Sequence, residues 1–235
     1  MGSCAQLRLL EALLTPPRTV VAATPWELSR AEVGFDFPSD YRAFIDRYGG
    51  GTLTRAGTPM RFSVMNPGAD QWCPDGPSGF AGFVDVTVSE LRPRFADGCA
   101  DAAPAPRPAR PGARPAQAAR YPVLPDPGGL LAWGSTDDGD CFFWLTEDSD
   151  PDRWPVVLWS RCEEAAHRFD GGMVEFLLAV LRGEHPASAW LSGPEPRWTP
   201  EADWDRRELP IYAGLNRIER RSARGYRRQV RWAQA

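Results

Sequence analysis

Lysine is absent from this chain: all 27 basic residues are arginine. A GC-rich genome accounts for that bias, and for much of the Ala, Gly and Pro, more simply than any function does. Histidine is nearly absent, at two residues. Zinc sites need three or four ligands at tight spacing, and Cys162, His167 and Asp170 do not supply that pattern, so no metal is expected. The five cysteines include no C-x-x-C pair. An odd count without a secretory pattern reads as free thiols in a reducing cytoplasm. No apolar run reaches the 18 residues of a membrane span, and no charged n-region leads into an apolar stretch, so a cytoplasmic, non-membrane location is expected. P-loop and G-x-S-x-G motifs are also missing. Cys141 or Cys162 could formally meet His167 or His185, but no motif supplies the orienting group or oxyanion hole that nucleophilic catalysis needs. No enzyme and no cofactor are expected.

The 235 residues that remain to be placed suit one domain with tails. A chain of this length buries roughly 70% of its unfolded surface, which needs no disulfide or metal staple. Net charge is −4 but uneven. Asn216 to Ala235 holds seven Arg and one Glu, so the tail carries +6 and the rest −10.

Local patterns place the elements. Residues 5–14 read as a short helix stopped by Pro16-Pro17. Thr24-Pro25-Trp26-Glu27 reads as a capping box opening a second helix to about Gly34. Ser39 is the expected N-cap of a third, in which Tyr41, Phe44, Ile45 and Tyr48 form one apolar stripe and Gly49 follows the end. Strands are expected at 52–54 and 61–65, and at 83–88, where Phe and Val alternate with Asp and Thr. Residues 99–120 are nearly all Ala, Pro and Arg and have no apolar period, an insertion within the domain. Leu130–Ser135, Cys141–Thr146 and Trp154–Ser160 form an antiparallel meander, because their connections are too short for a crossover. Asp138-Gly139 marks the first turn. Met173, Phe176, Leu177, Val180 and Leu181 mark a last helix. The domain is expected to end near 190, with a Pro/Trp-rich extension and the Arg-rich tail beyond.

Several of these pieces, in this order, resemble the SUKH superfamily, which includes yeast cell-wall-synthesis regulators and many bacterial immunity proteins. They are the Trp26 helix, Phe37-Pro38-Ser39-Asp40-Tyr41, Tyr48-Gly49-Gly50-Gly51, Trp133-Gly134-Ser135-Thr136-Asp137-Asp138-Gly139-Asp140, Asp150-Pro151-Asp152-Arg153-Trp154 and Phe176-Leu177. The match runs from about Trp26 to Gly183. The resemblance implies a non-enzymatic α+β domain, an antiparallel sheet packed against several helices. In bacteria it implies an immunity protein that neutralises a contact-delivered or polymorphic toxin, often a basic nuclease or deaminase, by direct binding. The alternative is a regulatory scaffold for an endogenous protein.

Seven acids lie between Asp137 and Asp152. An acidic surface would steer a basic partner. Asp137, Asp138 and Asp140 sit at one turn, and Glu147, Asp148, Asp150 and Asp152 at the next. Successive hairpin turns lie at opposite strand ends, roughly 20 Å apart for six residues. The longer second turn is the better partner site, with Trp144 as an aromatic contact. The Arg-rich tail could touch phosphates, but a solvated tail or one docked on the chain's own acidic domain explains it as well, so nucleic acid is not the expected partner.

Overall fold

The computed structural model describes residues 3–18, 23–57, 60–68, 80–96, 100–101, 121–191 and 193–201. The Arg-rich tail lies outside them, as does the Ala/Pro/Arg segment apart from residues 100–101.

The fold is α+β. Among the described residues five α-helices, α1 (Ser3–Leu13), α2 (Trp26–Val33), α3 (Ser39–Tyr48), α4 (Phe80–Ala96) and α5 (Met173–Arg182), accompany eight strands in one sheet. The strands are β1 (Gly51–Arg55), β2 (Phe62–Val64), β3 (Ala100–Asp101), β4 (Leu130–Thr136), β5 (Cys141–Leu145), β6 (Val156–Ser160), β7 (Ala165–Phe169) and β8 (Pro196–Pro200). Their order is β3-β7-β6-β5-β4-β2-β1-β8. Each neighbour pair is antiparallel except β3 with β7. The expected meander is β4-β5-β6, and β7 extends it.

Helices cover both sheet faces, so the central strands are apolar on both sides. Every residue of β5 and β6 is buried. On one face Trp144 packs edge-on to Tyr41 of α3 at 4.8 Å, and Phe142 meets Phe176 of α5 at 5.7 Å. On the other, Phe143 meets Phe95 of α4 at 5.9 Å. Trp133 sits at a β-bulge, where the register shifts between Ala132 and Gly134. A Cβ on Gly134 would stand 2.4 Å from the Ser63 carbonyl, so the β2–β4 approach requires glycine there.

Four expectations change. Residues 83–88 are helical, inside α4. Their buried neighbours Phe80, Val84, Thr87, Val88, Leu91 and Phe95 follow a period near 3.6, which outweighs a six-residue alternation. The capping box does not form: the Thr24 hydroxyl donates to Asn66 Oδ1 at 3.4 Å, and Pro25 occupies the N-cap of α2. Ser39 is the first residue of α3 rather than its cap. Pro196–Pro200, expected in an extension beyond the domain, pairs with β1 as the sheet's edge.

Candidate functional site

The β4–β5 connection closes tightly, with Thr136 N–H donating to the Asp140 carbonyl at 2.9 Å. Its acids diverge in role. Asp140 is 4% exposed. Its Oδ2 accepts from the Thr136 hydroxyl at 2.7 Å and its Oδ1 from Arg161 N–H at 2.8 Å. Asp140 therefore fastens two turns and faces no partner. Asp137 is paired with Arg61 at 2.8 Å, while Asp138 is exposed.

The β5–β6 connection is longer and wound on its own acids. Asp148 Oδ1 accepts from Asp150 N–H at 2.9 Å, and Asp150 Oδ1 from Asp152 N–H at 3.1 Å. These side-chain turns stabilise the 3-10 turn Pro151–Arg153. Arg153 lies 3.7 Å from Asp148 and 3.6 Å from Asp150. Glu147 reaches across to Arg168 of β7 at 2.7 Å, and Arg168 also pairs with Asp170. Val156 pairs with Phe169, so the end of β7 lies beside this turn.

A cleft of about 500 Å³ opens here, lined in part by Asp40, Asp152, Arg153, Arg168, Asp170 and Glu175. The N-termini of α3 and α5 border it. Ser39 N–H donates to Asp152 Oδ1 at 2.5 Å, and Val174 N–H donates to Asp40 Oδ2 at 2.9 Å. Burial pushes the Asp40 carboxyl above the usual carboxylate range, against the pull of the N–H groups of Val174 and Tyr41; the Asp152 charge pushes it further up.

Thus the second-turn acids Glu147, Asp148, Asp150 and Asp152 gather at one end of the sheet, beside a cleft. Asp137, Asp138 and Asp140 do not join them. Trp144 is fully buried between Tyr41 and Trp133, so it belongs to the core and offers a partner no surface. Sequence reasoning missed Asp40, Arg153, Arg168 and Glu175. Only Arg153 carried a signal, as the lone cation of an acidic turn; the others arrive through long-range folding.

Cys141 and His167 lie on opposite faces of the sheet. Cys141 pairs with Trp159, whereas His167 pairs with Leu158, one position along β6 and therefore on the opposite face. Burial pushes the Cys141 thiol up to about 12. His167 is bonded to Glu163 at 2.6 Å. His185 accepts the Ala187 N–H at 3.1 Å, and burial lowers its pKa to about 4. Among the described residues no group of three His, Cys, Asp or Glu could hold a metal ion, and no helix is long and apolar enough to cross a membrane.

Neither a curated protein nor a solved structure matches the chain. A family match covers residues 22–178, two thirds of its length, from the approach to α2 into α5. It spans both acidic turns, and the chain belongs to the SMI1 / KNR4 family (SUKH-1).

Proposed function

We propose that this chain is a non-enzymatic binding protein of the immunity type, which neutralises a cognate toxin in the bacterial cytoplasm by docking on it and occluding its active site. Family membership supports a protein partner. One observation carries the choice of surface: Glu147, Asp148, Asp150 and Asp152 cluster on a projecting turn beside a cleft that adds Asp170 and Glu175. Such a surface favours a basic partner, as a nuclease or deaminase acting on nucleic acid tends to be. The test is co-expression with the toxin domain encoded by a neighbouring gene. Growth rescue and co-elution of a 1:1 complex are expected; neither rescue nor co-elution sinks the proposal. A complex with a non-toxic endogenous protein would favour the second reading, a regulatory scaffold.

A further inference from the structure

The first N–H groups of a helix have no acceptor within the helix. In α3 and α5 these groups find carboxylates from distant parts of the chain. Ser39 N–H, at the start of α3, donates to Asp152 Oδ1 at 2.5 Å, across 113 residues. Val174 N–H, in the first turn of α5, donates to Asp40 Oδ2 at 2.9 Å, across 134 residues. Ser39 and Asp40 are adjacent, so a single turn of α3 receives one cap and supplies the other.

We infer that Asp152 and Asp40 form a relay that ties the exposed second turn to the buried start of α5 through the first turn of α3. Both ends of the relay are tightly set. On the outside, Asp152 N–H is held by Asp150 Oδ1 and Asp150 N–H by Asp148 Oδ1, so a force on the exposed acids reaches Asp152. On the inside, a Cβ at Gly172 would stand 2.4 Å from Asp40 Oδ2, so the carboxylate packs on the bare Gly172 backbone while it holds Val174 N–H at 2.9 Å, and a side chain there would push it away. Asp152 is thus a positioning residue. Displacing it frays the first turn of α3, which carries Asp40 away from α5. The relay exists in the free chain and does not depend on which partner the turn meets.

Residue-resolved amide hydrogen exchange on the full chain tests it, because the Ser39 and Val174 N–H groups donate to these carboxylates and stand ahead of the helical hydrogen-bond ladder. In Asp152→Ala, exchange at both Ser39 and Val174 should quicken about tenfold or more, the loss expected for a hydrogen bond to a charged acceptor. Amides in the middle of α5, such as Leu178, should stay unchanged. Asp152→Asn keeps an acceptor oxygen and should hold both sites within about threefold of wild type. Gly172→Ala loads the relay from its other end and should also quicken both sites. Acceleration confined to Ser39 in Asp152→Ala, or to Val174 in Gly172→Ala, overturns the relay. So does an equal acceleration throughout α5, which would mean that the helix loosens as a whole.

Discussion

Among the acids of the first turn, two adjacent types of environment give opposite expectations. Asp140 accepts from a buried hydroxyl and from a backbone N–H, so Asp140→Ala leaves the Thr136 hydroxyl proton and the Arg161 N–H without their acceptor. The expected cost is about 2–4 kcal/mol, read as a lowered urea midpoint. Asp138 is exposed, and Asp138→Ala should stay within about 0.5 kcal/mol of wild type. Asp40 supplies one pH dependence. Burial, assisted by the Asp152 charge, raises its folded pKa above 3.8. The folded state therefore binds this proton more tightly than the unfolded chain does. Its contribution to stability is complete below about 3.8 and is lost as pH rises through the folded value. The surrounding charges, Asp152, Arg153, Arg168, Asp170 and Glu175, all line the same cleft. In Asp152→Asn the Asp40 carboxyl should titrate lower than in wild type, because one negative neighbour is gone. Carboxyl-carbon NMR reads that shift, and an unchanged titration would show burial acting alone.

The elements of the sheet guard its edges. Glu201 N–H donates to the Gly50 carbonyl at 2.9 Å, and Ala56 N–H to the Glu195 carbonyl at 3.4 Å. With the β1–β8 register, residues 195, 197, 199 and 201 turn their backbone groups toward β1, and 196, 198 and 200 turn theirs outward. Two of those three outward positions are proline, which has no N–H to offer another strand. Pro196→Thr combined with Pro200→Thr restores both donors and should promote self-association, seen as earlier elution and light scattering at high concentration. An unchanged monomer–oligomer distribution would mean that something other than proline guards this edge. The same element shows where the sequence was legible. The meander, β1, β2, α3 and α5 follow from periodicity and turn residues, which are local. β8 does not, because Pro and Trp read as an extension until β1 supplies the partner. The caps of α2 and α3 fail for the same reason: Asn66 competes for Thr24 from 42 residues away, and Asp152 reaches Ser39 from 113. In α4 a six-residue alternation hid a 17-residue helix, since β-branched residues suit either element when a sheet buries them. For the candidate site, the four second-turn acids were legible as a turn. The cleft beside them was not, because α3, β7 and α5 each contribute to it.

At the scale of the whole molecule, the two acidic turns face away from each other along the sheet. β5, the strand between them, has five residues and so holds them about 17 Å apart. A single docking partner centred on the cleft would meet the second turn first. Much of the charge there is already matched by Arg153 and Arg168, so the acids contribute more to steering and orientation than to raw affinity. Association should consequently slow as salt rises toward 0.5 M, where the screening length falls to about 4 Å, while dissociation changes little. Asp150 is the sharpest probe, with a side chain 53% exposed at the tip of the turn. Asp150→Arg should slow association with a basic partner at least about tenfold, and Asp138→Arg, at the opposite end, less than about twofold. Stopped-flow or surface-binding kinetics on the purified complex separates the two. Equal slowing by both substitutions would point to the overall negative charge of the domain. A larger effect from Asp138→Arg would move the interface to the Arg61–Asp137 end of the sheet.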